Sequence, residues 1–216
     1  MSTKNLNTAE EYEAYLKELR ITYHFECFKE NNAEACHLLG DWYAQSNIMK
    51  EAIQQYKYAC EKFNYARSCY KYGVSLLDGG DVGCETDVKK AMHFTALACE
   101  KGEPEGCWRN AQILQDQRRF PEALKGHMKY CDMLHYFSHN SCYDAGLILR
   151  SPEEITKMPQ DLKKAFEYFS KGCSLGNARA CFEVSSAHYF GRGTAKNTKL
   201  AKEFRDKAQG LEANRE

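Results

Sequence analysis

The 216-residue sequence predicts an all-α fold: a right-handed α/α superhelical solenoid of five helix-turn-helix units behind a leading helix, stapled by disulfides. Three observations carry this expectation. Eleven cysteines stand at 27, 36, 60, 69, 84, 99, 107, 131, 142, 173 and 181. Ten of them form five close pairs whose second members (36, 69, 107, 142 and 181) step by 33 to 39 residues, the period of helix-turn-helix arrays. Ala52, Ala91, Ala123 and Ala165 each precede the first cysteine of a pair by eight positions, just over two helical turns, so alanine and cysteine share one helix face. Four positions after each second cysteine the residue is always small: Gly40, Gly73, Ala111, Gly146 and Ser185. A small residue there lets two helix backbones approach closely.

The elements follow in order. A leading helix over Thr8–Lys29 supplies the first cysteine. The first helices of the units read as Ala35–Gln45, Ser68–Leu77, Gly106–Gln115, Ser141–Leu149 and Ala180–Phe190. Their partners read as Lys50–Phe63, Val88–Lys101, Pro121–Leu134, Leu162–Leu175 and Thr198–Leu211. Asp87, Asp161 and Asn197 are placed as N-caps, Pro121 suits a first turn, and Gly102 and Gly176 sit where a left-handed residue ends a helix. Gln209 stands where a further cysteine would fall, as a terminal cap allows. The domain reading is 1–34 leading segment, units at about 35–67, 68–105, 106–140, 141–179 and 180–211, and a disordered tail at 212–216.

Composition excludes several functions. Thirty Lys and Arg balance thirty Asp and Glu, so no electrostatic attraction to nucleic acid or an anionic membrane is built in. No apolar run approaches a membrane span. The start, Met1 to Asn7, lacks the apolar core of a secretory signal and is not an Arg-rich presequence. A cysteine-rich chain thus has no evident secretory route.

The spacing favours five disulfides: Cys27–Cys36, Cys60–Cys69, Cys99–Cys107, Cys131–Cys142 and Cys173–Cys181. Each joins the end of one unit to the start of the next, and closing a loop of about ten residues contributes roughly 2.5 kcal/mol on the chain-entropy account. Reduced cysteines filling small packing positions are the alternative. Zinc is a weaker one, since no Cys-x-x-Cys is present. Cys84, in Gly79-Gly80-Asp81-Val82-Gly83-Cys84, is left as a free thiol, either incidental or able to attack a partner's disulfide. His135 and His139, with Met133 nearby, are weak candidates for a metal or an axial haem position, against a plain solvent-facing pair. No metal site is assigned, haem is kept as a candidate ligand, and the absence of Cys-x-x-Cys-His excludes covalent haem attachment. His127 reads as packing. No catalytic residues are assigned, since no Ser–His–Asp order, nucleotide-binding loop or carboxylate dyad stands out; a weak thiol–disulfide reductase activity is the one enzymatic reading left.

Cys36-x-x-Leu39-Gly40-x-x-Tyr43 and Asp161-x-x-Lys164-Ala165-x-x-Tyr168-Phe169 resemble the two halves of a Sel-one-like repeat, a relative of the tetratricopeptide repeat. Gly191-Arg-Gly193-Thr-Ala-Lys-Asn197 is similar to that family's glycine loop. Glu10 to Leu16, Tyr23 to Phe28 with Ala35-Cys36, Ser68-Cys69-Tyr70-Lys71 and Ala98-Cys99-Glu100-Lys101 narrow the likeness to the cytochrome c oxidase assembly factor 7 family. That resemblance implies a mitochondrial intermembrane-space factor supporting assembly of respiratory complex IV, with haem handling or disulfide reduction in copper-delivery partners as finer roles. It also implies import through the intermembrane-space disulfide relay, protein partners in oxidase assembly, and a monomer without nucleic acid or membrane span. A secreted cysteine-rich repeat module binding a peptidoglycan-like or protein ligand is one competing class. A redox-inert interaction scaffold is the other.

Overall fold

A computed structural model describes residues 8–79, 85–133 and 138–213. Among these residues every regular element is helical: α1 (Ala9–Phe28), α2 (Ala33–Gln45), α3 (Met49–Phe63), α4 (Ala66–Asp78), α5 (Val88–Glu100), α6 (Pro104–Asp116), α7 (Phe120–Asp132), α8 (Ser138–Arg150), α9 (Glu153–Thr156), α10 (Leu162–Ser174), α11 (Ala178–Phe190) and α12 (Thr198–Ala213). No described helix is long and apolar enough to cross a membrane. Two compact units, Met1–Gly106 and Cys107–Glu216, divide the chain within α6.

Local chemistry sets the helix ends. Thr8 caps α1 in a reciprocal box with Glu11, and Asn32 and Asn177 accept backbone N–H groups at the starts of α2 and α11. Asp87 accepts from Lys90 N, Asp161 from Lys164 N, and Asn197 from Lys199 N and Leu200 N. Gly102 and Gly176 follow α5 and α10 at φ +91°, a conformation that excludes most side chains.

Three differences from the sequence reading have physical causes. The short helix α9 falls in a connector read as irregular; Pro152 sets its entry, and the buried Thr156 hydroxyl donates back to Pro152 O. Helix α12 continues through Glu212 and Ala213, into the segment expected as a tail, because no breaker follows Leu211. Most of the first helices begin two residues earlier than expected, at Ala33, Ala66, Pro104 and Ala178; the side chains of Asn32 and Asn177 set two of these starts.

The small positions are where paired helices meet. A Cβ built on Gly40 would lie 2.5 Å from Tyr56 Cε1, and one on Gly146 2.5 Å from Phe169 Cε1. Ala111 packs on Gly126, and Ser185 Oγ donates to Ala201 O at 2.6 Å. At Gly73 the obstacle is partly backbone: Thr95 Cγ2 at 2.9 Å, Thr95 N at 3.2 Å and Ala91 O at 3.3 Å. Gly73→Ala is therefore expected to destabilise unit 1 by about 1–2 kcal/mol, overpacking outweighing the helix-propensity gain. Gly210→Ala, in α12 with nothing within 4 Å, is expected to stabilise by about 0.5–1 kcal/mol. Thermal unfolding of the two variants checks the opposite signs.

Candidate functional site

The cysteine pairs come first, because they build the frame. Helix α1 brings Cys27 to Cys36 on α2, and α3 brings Cys60 to Cys69 on α4, each with Cα atoms 4.7 Å apart. In unit 2, Cys131 meets Cys142 at 4.9 Å and Cys173 meets Cys181 at 4.6 Å. These are disulfide-distance pairs. All eight sulfur-bearing residues are fully buried, among clusters such as Cys60, Cys69 and Ala98 with Phe94, Leu97 and Tyr70 packed around them. Burial withholds these sulfurs from an attacking thiolate, which suits structural staples rather than exchange centres. Cys99 closes α5 and Cys107 lies in the first turns of α6.

The residue after each second cysteine is aromatic: His37, Tyr70, Trp108, Tyr143 and Phe182. Fixed beside the staple at the start of each unit, this position repeats one ring per unit. The sequence reading did not single it out. The signal was available in the same register as the glycines.

In unit 2 two of these rings frame a groove of about 790 Å³. Trp108 and Gln112 come from α6, His139, Tyr143 and Asp144 from α8, and Asn177 and Arg179 from the start of α11. Asn177 is held in place twice over: its side-chain oxygen caps α11 through Ala180 N at 2.9 Å, and its Nδ2 donates to Asn140 Oδ1 at 3.0 Å. Burial pushes the Asp144 carboxyl up to about 6, partly offset by Arg179. The groove therefore offers flat rings, amide donors and acceptors, and one cation beside a carboxyl. That is the chemistry of a polypeptide-binding surface.

Beneath the groove, His127 on α7 is fully buried at the helix position that Tyr56 and Phe169 occupy in their own units. Its Nε2 faces Gln115 Oε1 at 3.0 Å and its Nδ1 faces Ser141 Oγ at 3.4 Å, with Asp144 Oδ2 at 3.9 Å. Burial holds its pKa down at about 4, so the ring is neutral near pH 7. Ser141 is fully buried too, so this Ser–His–Asp neighbourhood has no substrate access and serves packing.

Of the candidate ligands, His139 lines the groove and Met133 is the half-buried cap residue of α7. His135 and the free-thiol candidate Cys84 lie outside the described residues. Among the described residues no three His, Cys, Asp or Glu side chains are grouped to hold a metal.

Helical pairs of this length, meeting through a small residue and repeating down the chain, define a Sel1-type solenoid. The chain belongs to the Sel1 repeat family, which it matches at residues 33–61, 66–103, 141–177 and 178–208. A Sel1 repeat protein from Oxalobacter formigenes superposes with a TM-score of 0.76 over 94% of this chain and 83% of its own, at 17% identity, a likeness of fold alone. Two relatives carry more specific names. Cytochrome c oxidase assembly factor 7 of Xenopus tropicalis is 29% identical over 96% of this chain and 91% of its own length. The Drosophila melanogaster homolog of that factor is 27% identical over 93% of this chain and 89% of its own.

Proposed function

We propose that this protein is a disulfide-stapled scaffold that supports the assembly of cytochrome c oxidase, docking an assembly partner in the Trp108–Tyr143 groove. The observation that carries this reading is the extent of the likeness: relatives named for oxidase assembly align with 93% and 96% of this chain. The proposed compartment is the mitochondrial intermembrane space, entered through its disulfide relay. That route supplies an oxidant for five staples, Cys99–Cys107 among them. The role is binding rather than catalysis. Within it, haem handling would draw on His139 in the groove, and thiol exchange would need a sulfur other than the eight buried ones.

Deleting the gene and measuring oxidase activity tests the proposal, and normal activity in the deletion strain would contradict it. Complementation sharpens the test. Trp108→Ala/Tyr143→Ala, once shown to be folded by circular dichroism, is expected to restore much less oxidase activity than the natural sequence, and Trp108→Phe/Tyr143→Phe to restore more. Protease protection of fractionated mitochondria checks the compartment.

A further inference from the structure

Each end of the chain leaves apolar side chains in water, and the two ends carry opposite charge. On α1, Ile21 (65% exposed), Phe25 (54%) and Phe28 (37%) follow one another at i, i+4 and i+7, an apolar stripe along one helix face. The helix bearing that stripe holds five carboxylates against two cations. In unit 2, Tyr189 (54%) and Phe190 (58%) end α11 beside a groove of about 280 Å³ that Phe182, Ala201, Lys202 and Arg205 complete. No carboxylate lines this groove, and the guanidinium of Arg192 sits 4.7 Å from the Phe190 ring. From Arg192 to Lys207 the chain holds six cations against two carboxylates.

We propose that the occupant of the α11–α12 groove is α1 of a second copy of this chain. A helix presenting apolar anchors at i, i+4 and i+7 can fill an apolar groove, and here the guest is acidic and the groove basic. The contact is heterologous: the face used on one copy differs from the face it meets on the next. One helix in one shallow groove buries less than a stable dimer interface requires, so association is weak and sets in at tens to hundreds of micromolar. Dilute protein is monomeric.

Sedimentation velocity on the full chain from about 5 to 500 μM tests this. The sedimentation coefficient is expected to rise with concentration at low ionic strength and to become concentration-independent at about 0.5 M NaCl, where charge pairing is screened. Ile21→Ser/Phe25→Ser and Lys202→Glu/Arg205→Glu each replace exposed residues and should each weaken self-association at least tenfold. Mixed together, the two variants retain one good head and one good tail between them, so a heterodimer should form where neither variant alone associates. A single species over the whole range would overturn the proposal. So would association that survives both variants, or association lost in the α1 variant but retained in the Lys202/Arg205 variant, which would mark a symmetric contact through α1.

Discussion

Cys60→Ala/Cys69→Ala is expected to lower the unfolding free energy by about 2–4 kcal/mol and the melting temperature by about 5–15 °C. The pair closes a loop over a sequence separation of 9, short enough that the unfolded chain gains modest freedom when it opens. The rest of the loss is local. Both residues are fully buried against Ala98, Phe94 and Leu97, so removing two sulfurs leaves a void that the rigid helix pair fills poorly. Reductant opens the other staples as well and leaves the sulfurs in place, so it should lower the midpoint of the natural sequence and lower that of the double variant by a smaller further step. Thermal unfolding by circular dichroism, with and without reductant, gives both numbers. An unchanged midpoint in either comparison would mean that the helices, not the staples, hold these units together.

His127→Ala is expected to cost more, about 3–5 kcal/mol, because it opens a cavity and strands the partners of the ring. His127→Phe keeps the volume, and the equivalent position in the next unit is already Phe169. It should cost only about 1–3 kcal/mol, from leaving Gln115 and Ser141 without their nitrogen partners. The pH dependence separates the hydrogen-bonding role from mere volume. The folded His127 titrates near 4 rather than 6.5, so its contribution is present above 6.5 and is lost as pH falls toward 4. Asp144 titrates near 6 rather than 3.8, so its contribution is present below 3.8 and is lost as pH rises through 6. The two dependences oppose each other within one window, 3.9 Å apart. The natural protein should therefore gain on His127→Phe, by at most about 3 kcal/mol, as pH rises from 4 to 6.5. It should lose ground to Asp144→Asn over the same range. Chemical denaturation at pH 4, 5, 6 and 7 checks the opposite slopes.

Much of the architecture was legible because three independent signals shared one register. Cysteine spacing, the alanine two turns earlier and the small residue at the helix crossing all point to the same helix pairs, and Gly40, Gly73 and Gly146 show why three of the crossings leave no room for a Cβ. Helix ends were legible where an Asp or Asn precedes the element, as at Asp87, Asp161 and Asn197. They were less so at Tyr65, which precedes α4 without a side-chain cap. Helix α9 escaped notice because four residues carry no periodicity. The groove was hidden for a different reason. Trp108, Tyr143 and Arg179 come from three helices, and only packing brings them to one groove. His127 was read as packing from its place in a helix; burial holds it neutral, and the polar partners it meets there lie 12 and 14 residues away.

The claim at the centre is that oxidation, not helix propensity, sets the rigidity of this scaffold. Mass spectrometry of the native protein, alkylated without reduction and then digested, tests it most directly. The account predicts cross-linked peptides joining Cys27 to Cys36, Cys60 to Cys69, Cys99 to Cys107, Cys131 to Cys142 and Cys173 to Cys181, with alkylation confined to Cys84. Eleven alkylated thiols would contradict it, leaving a reduced solenoid in which cysteine merely takes the place of alanine.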